Sequence, residues 1–269
     1  MTPSRLRAIV WKHYKEHGRH ALPWRRTRDP YKILVSEVML QQTQVERVLP
    51  YYEAFLTRFP TVHELARAPL GDVLRAWQGL GYNRRAKLLH EAAKAVVRDH
   101  AGKFPKTPEA LELLPGIGHY TARAVAAFAY NQDVVCIETN IRTVVLHHCF
   151  QGEENVSDAA ILRILEKVLP TGESRAWYAA LMDYGSALKR SGVRINAKSK
   201  AYSKQKSFKG SAREARGAIL KELAQAHASK KRLTHLLGDD RTEQLEAQLS
   251  ALLAEGFVEK NGSVYRLAD

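Results

Sequence analysis

The sequence predicts a mainly α-helical protein that ends in a small winged-helix-like α+β domain. Up to Arg190, apolar residues recur at the three- and four-residue spacing of amphipathic helices, and start signals such as Asp29-Pro30 and Thr107-Pro108 are frequent. No alternating apolar–polar pattern of useful strand length appears in that region. With 269 residues, the chain is long enough for one large or two medium domains.

The helices of the first 190 residues can be placed from these signals. The charged, amphipathic residues 1–18 predict a first helix, and they lack the continuous apolar core of a signal peptide. Because the two cysteines also suggest no disulfide framework, we expect a cytoplasmic, nucleoid-associated protein. Further helices are expected at 30–41, from 61, at 69–77, 83–100 and 108–113, from 120, and at 140–149, 158–169 and 174–189.

The residues after 190 differ in composition, and this change defines the predicted domains. A basic segment carries eight lysines and arginines between 189 and 209 and no acidic residue. The predicted boundaries are 1–190 for the helical core, 191–210 for the basic segment and 211–269 for the tail. In the tail, helices are expected at 212–227, 231–237 and 241–255, followed by a hairpin that turns at Asn261-Gly262.

The charge of the chain indicates a polyanionic partner. The formal net charge is +14 and the pI is near 9.8. Nucleic acid fits better than a membrane, because no apolar run approaches the roughly 20 residues that span a bilayer. The third tail helix is an exception, since Glu243, Glu246 and Glu255 suit a DNA groove poorly. For the tail we therefore expect a scaffold or protein-contact role.

The basic segment combines lysines with the aromatic residues Tyr202 and Phe208. This composition suits a strand that lies along phosphates, although a passive polar linker would have similar polarity. We predict that phosphates are contacted by Lys198, Lys200, Lys204 and Lys206.

The stretch Leu114-Pro-Gly-Ile-Gly118 predicts a tight turn between two helices. Its glycines, Gly116 and Gly118, let the backbone turn sharply and approach another surface. Amides at the start of the following helix, near Tyr120, then point outward and offer a seat for a phosphate. A plain helix–helix corner would use the same glycines, so the turn alone leaves both interpretations open.

Two carboxylates are candidates for chemistry. Glu37 lies between apolar residues, and burial would raise its pKa until it could act as a general acid. Glu138 precedes a helix, where it would either favour the helix dipole or stabilise a developing cation. Such a pair can cleave a glycosidic bond, although a surface or ion-paired Glu37 remains an alternative.

The loop Leu80-Gly-Tyr-Asn-Arg-Arg85 is hinged by glycine and carries an aromatic ring and two cations. It could insert Tyr82 beside a base and hold phosphates with Arg84 and Arg85, or merely pack the tyrosine. No metal site is predicted, because the cysteines form no CxxC pair and the adjacent His147 and His148 point to different sides of a helix.

Two blocks, LPWRRTRDPYKILVSEVMLQQTQV and LPGIGHYTARAV, resemble the adenine DNA glycosylases of the MutY type. These enzymes belong to the helix-hairpin-helix superfamily that includes endonuclease III, and the resemblance covers about residues 22–184. It implies a helix-hairpin-helix core of two helical subdomains that removes adenine opposite 8-oxoguanine in double-stranded DNA.

The resemblance also implies roles for individual residues. Glu37 matches the acid that protonates the leaving adenine. Tyr120 matches a pocket position held by tyrosine in some members, and we expect it to be catalytic together with Glu37 and Glu138. Residues 114–118 match the phosphate-binding hairpin. The rim of the base pocket is matched by Trp24 and Arg25, a polar pocket residue by Asn140, and the residues that wedge into the duplex by Gln42, Thr43, Leu80 and Tyr82.

Three departures from the family pattern stand out. Glu138 replaces the usual aspartate, and a displacement of about 1 Å at a reacting centre can cost about 100-fold in rate. The four cysteines of the family's iron–sulfur cluster are absent, so we predict no cofactor and a basic segment in place of the cluster loop. The family's 8-oxoguanine-recognising domain is not visible, which leaves the opposite base open.

The sequence therefore predicts a monofunctional, metal-free DNA glycosylase. Its expected partner is double-stranded DNA with a mismatched or damaged base, bound by a monomer, with adenine opposite 8-oxoguanine or guanine as the first substrate. A thymine or uracil glycosylase acting opposite guanine is one alternative. The other is a non-catalytic protein that binds lesions or mismatches. This alternative stays open because Glu138 replaces the usual aspartate.

Overall fold

Helices dominate the computed structural model, which describes residues 1–202 and 207–269. Among these residues, no helix is both long and apolar enough to cross a membrane. The α-helices are α1 (Pro3–His17), α2 (Pro30–Leu40), α3 (Val45–Arg58), α4 (Val62–Arg67), α5 (Leu70–Trp77), α6 (Arg84–His100), α7 (Pro108–Glu112), α8 (His119–Tyr130), α9 (Thr139–Cys149), α10 (Asp158–Val168), α11 (Ser174–Arg190), α12 (Ala212–Gln225), α13 (Lys230–Leu237) and α14 (Thr242–Ala254). The strands are β1 (Ala228–Ser229), β2 (Val258–Asn261) and β3 (Val264–Leu267).

The chain forms two compact units, and it passes between them several times. Of the described residues, the first unit comprises 1–37, 105–113 and 117–202. The second comprises 38–104, 114–116 and 207–269, so it includes the whole described tail. The predicted fold class, mainly α with a small α+β tail, is confirmed.

The first unit is built around the packing of α9 against α11. Trp177 and Tyr178 on α11 are almost completely buried, as are Val144 and Val145 on α9. Helix α1 packs on α11 and α10 through the buried Leu6 and Val10. Burial of such large side chains is the main stabilising contribution to a helical core.

The second unit places α3 to α6 together with the tail. Phe55 and Trp77 are fully buried and their rings meet edge to face, 5.9 Å apart. Helix α4 begins with a capping box in which Thr61 and Glu64 satisfy each other's backbone amides. The tail packs on α5, where a Cβ on Gly71 would lie 3.3 Å from the Ala268 carbonyl oxygen.

The tail has a three-stranded antiparallel sheet in the order β1-β3-β2. The prediction that its hairpin turns at Asn261-Gly262 is wrong by one residue, because Asn261 pairs with Val264 and the turn is Gly262-Ser263. Of the two turn residues, only Gly262 has a positive φ, +59°. A turn that needs a left-handed residue at its first central position alone places glycine there, not asparagine.

Candidate active site and nucleic-acid interface

Glu37 is a buried carboxyl group on α2, with 7% of its surface exposed. Burial raises its pKa to about 7, and the negative charge of Glu138 acts in the same direction. A hydrogen bond from the Tyr120 hydroxyl to Oε2, 3.0 Å long, and the positive charge of Arg25 lower the pKa in part. The side chain is therefore able to hold and release a proton near neutral pH, as a general acid must.

Tyr120 is the second residue of α8, directly after the predicted hairpin turn. Burial of its hydroxyl, reinforced by the charges of Glu37 and Glu138, raises its pKa well above the usual value. The hydroxyl therefore stays protonated and donates its proton in the hydrogen bond to Glu37.

Glu138 is the N-cap of α9, and its carboxylate turns back onto the start of that helix. Oε1 accepts from the backbone amides of Asn140 at 2.7 Å and Ile141 at 2.8 Å. Oε2 accepts from the Thr139 hydroxyl at 3.2 Å and from the Asn140 side-chain amide at 3.3 Å. The extra methylene relative to aspartate is thus taken up in a capping arrangement, and the helix dipole favours the negative charge there.

The segment that leads to Glu138 is held by the buried Tyr178 and by the exposed Asp133. The Tyr178 hydroxyl donates to the Val134 carbonyl at 2.7 Å and accepts from the Cys136 amide at 3.2 Å. Asp133 accepts from the Gly172 amide at 2.8 Å, next to the start of α11. These contacts fix the direction from which the backbone enters α9.

Gly185 on α11 lies against the beginning of α9. A Cβ built on it would be 2.1 Å from the carbonyl oxygen of Asn140. Only glycine permits this approach, which sets the position of the helix start that carries Glu138 and Asn140. No sequence signal marks Gly185, because a single glycine inside a helical pattern does not show what it approaches.

Trp24 and Arg25, expected at the rim of a base pocket, lie in the same unit as Glu37. Trp24 is buried, and the Arg25 side chain is 10% exposed. Asp183, 2% exposed, lies 3.5 Å from an Arg25 guanidinium nitrogen and also accepts from Arg19 Nε at 2.7 Å. Asp183 thus holds a cation whose charge acts on Glu37, a role that the sequence alone did not indicate.

The hairpin turn uses its two glycines differently. Gly116 has a φ of +72°, and a Cβ there would lie 2.5 Å from Cβ of Leu88. Gly118 is exposed and is the N-cap of α8, with nothing within 4 Å of the place of a Cβ. Leu114 is buried, with 4% exposure, and anchors the turn. The backbone at Gly118 is therefore open to a ligand beside the positive end of a helix.

In the second unit, Gln42 and Tyr82 adopt positive φ angles of +57° and +51°. Non-glycine residues rarely adopt this conformation, and it is often found at functional sites. Both residues are exposed, whereas Thr43 is half-buried and Leu80 only 5% exposed. The wedge roles of these residues stay predictions; Leu80 is packed into the unit in this conformation.

Arg85 connects the two loops that contain these residues. Its guanidinium group lies 5.6 Å from the Trp77 ring centroid and 5.4 Å from the Tyr82 ring centroid. Burial lowers its pKa to about 10. The guanidinium donates to the Thr43 hydroxyl and to the backbone carbonyls of Val38, Met39, Leu80, Gly81 and Gln41.

The interpretation of Arg85 as a phosphate-holding residue is therefore corrected. Its donors are directed at carbonyl oxygens inside the second unit, while the neighbouring Arg84 is exposed. Arg85 is half-buried. A guanidinium whose donors are taken by several carbonyls positions backbone segments, and those donors are not available to a phosphate. The sequence alone does not distinguish Arg84 from Arg85, because they are adjacent residues of the same type.

Residues 191–202 of the basic segment belong to the first unit and are fixed to it. Lys198 lies 3.0 Å from a carboxylate oxygen of Glu154, and the Ser199 hydroxyl accepts from Arg142 at 2.7 Å. Backbone bonds join Val156 to Lys198 and Lys200, which is exposed. The predicted phosphate contacts of Lys204 and Lys206 lie outside the described residues.

The chain's thiols do not fit an iron–sulfur cluster, which takes four cysteine ligands. The sequence contains two cysteines. Cys136 is buried and Cys149 ends α9, and burial raises the pKa of both thiols. Within the described ranges, no group of three or more histidine, cysteine or acidic side chains is arranged to hold a metal ion.

Comparison of the sequence with known protein families identifies a match. Residues 35–171 match the HhH-GPD superfamily base excision DNA repair protein model. An adenine DNA glycosylase of Mycolicibacterium smegmatis is 40% identical over 190 residues, which are 70% of this chain and 64% of that protein. One of Mycobacterium tuberculosis is 54% identical over 125 residues, which are 46% of this chain and 41% of that protein. The chain thus spans less than two thirds of these relatives.

Solved structures agree with this assignment. A thermostable thymine-DNA glycosylase has a TM-score of 0.62 and 26% identity, and the match covers 68% of this chain and 86% of that one. A non-covalent endonuclease III–DNA complex has a TM-score of 0.57 at 19% identity, covers 68% and 85%, and shows likeness of fold alone. The chain belongs to the HhH-GPD superfamily of base excision DNA repair proteins.

Proposed function

We propose that this protein is a DNA N-glycosylase that releases adenine opposite 8-oxoguanine or guanine from double-stranded DNA. The observation that carries the proposal is the buried Glu37, whose pKa of about 7 suits proton donation at neutral pH. The adenine DNA glycosylases of Mycolicibacterium smegmatis and Mycobacterium tuberculosis support adenine as the base.

In the proposed reaction, the Glu37 carboxyl transfers its proton to a ring nitrogen of the flipped adenine. The C1′–N bond breaks, and its electron pair leaves with the neutral base, so the sugar becomes an oxocarbenium ion. Glu138 supplies a negative charge that stabilises this cation, and Asn140 holds the Glu138 carboxylate through two hydrogen bonds. Water then adds to C1′ and loses a proton to a carboxylate.

Tyr120 favours a monofunctional reaction. Its hydroxyl occupies the position after the hairpin and keeps its proton, because its pKa is raised well above the usual value. A glycosylase that also cleaves the strand uses an amine to attack C1′ and form a Schiff base. Tyr120 supplies no amine at this position, so we expect no Schiff base. The product we expect is an abasic site that needs alkali or another enzyme for strand cleavage.

DNA binding is proposed for surfaces on each unit. In the first unit, Gly118 leaves the backbone open at the start of α8, and Lys200 is exposed. In the second unit, Gln42 and Tyr82 are exposed in loops held by Arg85. We propose that these loops enter the duplex where a base has been flipped out.

Removal of thymine or uracil opposite guanine is the second candidate function. The structural likeness to a thermostable thymine-DNA glycosylase supports it. A panel of duplexes with adenine, thymine or uracil opposite guanine or 8-oxoguanine separates the two candidates. We expect alkali-labile sites only where adenine is opposite 8-oxoguanine or guanine, and cleavage confined to thymine or uracil would overturn the proposal.

The same panel tests whether Glu138 supports catalysis. Glu138→Asp shortens the side chain, and Glu166→Gln on the exposed face of α10 is a control. If the natural protein binds mismatches but cleaves no duplex while Glu138→Asp does, the protein is a mismatch-binding protein and not an enzyme.

Iron and acid-labile sulfide should be absent from active preparations, and cluster-dependent activity would refute metal-free catalysis.

A further inference from the structure

Tyr82 is an exposed tyrosine whose ring is contacted by two arginines. Its exposed fraction is 38% and its φ is +51°, so the loop presents the ring in a conformation that non-glycine residues rarely adopt. The guanidinium carbon of Arg85 lies 5.4 Å from the ring centroid, and that of Arg213 lies 5.9 Å from it. Arg85 comes from the adjacent helix, whereas Arg213 comes from the tail.

Arg213 also holds the tyrosine hydroxyl. Its Nη1 donates to the Tyr82 hydroxyl oxygen at 2.9 Å, and its Nη2 donates to the Ser207 carbonyl at 3.3 Å. The same guanidinium lies 6.0 Å from the Phe208 ring centroid. A planar guanidinium that bonds a hydroxyl and stacks near two rings fixes a side chain in a way that a lysine cannot.

Other contacts fix the helix that carries Arg213. Arg75 Nε on α5 donates to the Ala224 carbonyl of α12 at 3.2 Å. The Lys87 ammonium on α6 lies 5.2 Å from the Phe257 ring centroid, and Arg216 on α12 lies 4.7 Å from the same centroid. Arg213 therefore reaches Tyr82 from a docked helix, with 130 residues of sequence between the two.

We infer that Arg213 is a positioning residue for Tyr82, through which the C-terminal tail sets how the protein engages a mismatch. Arg213 holds the ring and its hydroxyl in the orientation from which the ring enters the duplex. The tail is thereby part of the mismatch-recognition apparatus and not a separate scaffold. This inference rests on the proposed function, in which Tyr82 is a wedge.

The test measures dissociation constants for a mismatched and a fully paired duplex of the same sequence, together with the single-turnover rate of base release. The variants are Arg213→Met, Tyr82→Phe and the double variant. Lys221→Met is the matched control, because Lys221 is an exposed cation further along the same helix, α12. Thermal unfolding of each variant shows whether the tail remains folded.

We expect Arg213→Met and Tyr82→Phe each to reduce the preference for the mismatched duplex about tenfold, as loss of a hydrogen bond to a charged donor predicts. The double variant should be no worse than Arg213→Met alone, since the hydrogen bond that Tyr82→Phe removes is already lost in Arg213→Met. Lys221→Met should keep the preference. Arg213→Lys should resemble Arg213→Met, because charge without the planar fork does not hold the ring.

Direct phosphate contact by Arg213 would overturn the inference. Arg213→Met would then weaken both duplexes equally and lower the salt slope of binding by about 0.9, and Arg213→Lys would resemble the natural protein. Effects of Arg213→Met and Tyr82→Phe that simply add would also overturn it. These readouts use binding, so a protein that releases no base refutes the proposed function without deciding the inference.

Discussion

The protonated carboxyl of Glu37 has a cost in stability. In the unfolded chain this group loses its proton near pH 4.5, whereas the folded protein holds it to about pH 7. The free energy of unfolding therefore falls as the pH rises through this window and stays lower above it. At about 1.4 kcal/mol for each tenfold change in proton affinity, the loss is about 3 kcal/mol.

Replacing Glu37 with glutamine removes this penalty. The unfolding free energy of Glu37→Gln, relative to the natural protein, should increase by about 2 kcal/mol between roughly pH 5 and pH 8. Denaturant unfolding at several pH values measures it. A difference that is constant across this range would show that Glu37 ionises freely in the folded state.

Tyr120→Phe tests the hydrogen bond between the two catalytic candidates. The Tyr120 hydroxyl favours the ionised form of Glu37, so its removal should raise the Glu37 pKa above 7. The pH at which base release declines on the alkaline side should move upward, measured as single-turnover rate against pH. Tyr265→Phe in the tail serves as the control, and an unchanged or lowered alkaline limb in Tyr120→Phe would contradict this account.

At the scale of elements, the close approach of α11 to α9 determines where Glu138 lies. Gly185→Ala would place a methyl group 2.1 Å from the Asn140 carbonyl oxygen, so the start of α9 must move. We expect a loss of about 100-fold in single-turnover rate, because a displacement of about 1 Å at a reacting centre can cost that much. Gly217→Ala on α12, where a Cβ meets nothing within 4 Å, should preserve activity. Equal activity of both variants would refute this positioning.

Most elements were predictable because their signals are local. Thr61 and Ser157 cap α4 and α10 within one turn, and the sequence shows both. The sequence does not predict helix α3, because this helix contains Pro50, and proline usually interrupts a helical pattern. The hairpin was predicted, but which of its residues has a positive φ depends on strand pairing, which moved the turn by one position.

The candidate site was predictable only in part, for a related reason. The carboxylates Glu37 and Glu138 indicate acid–base and electrostatic catalysis from the sequence, and the resemblance points to Tyr120. The directions of side chains did not follow, so Arg85 was expected to face phosphates although it bonds carbonyls inside its unit. Contacts between distant segments, such as Arg213 with Tyr82, leave no local pattern in the sequence.

At the scale of the whole molecule, catalytic candidates and wedge candidates belong to different compact units. Glu37, Tyr120 and Glu138 lie in the first, and Tyr82 lies in the second together with the tail. Variants of the second unit should therefore change binding of mismatched DNA more than the pH dependence of base release. Variants at Glu37 and Tyr120 should do the opposite.

The central claim is that Glu37 donates the proton that releases adenine. The measurement is the single-turnover release of adenine opposite 8-oxoguanine by the natural protein and by Glu37→Gln near pH 7. We predict release by the natural protein and a loss of at least about 100-fold in Glu37→Gln, as expected for removal of a general acid, with mismatch binding retained. Release by Glu37→Gln at the natural rate would contradict the account.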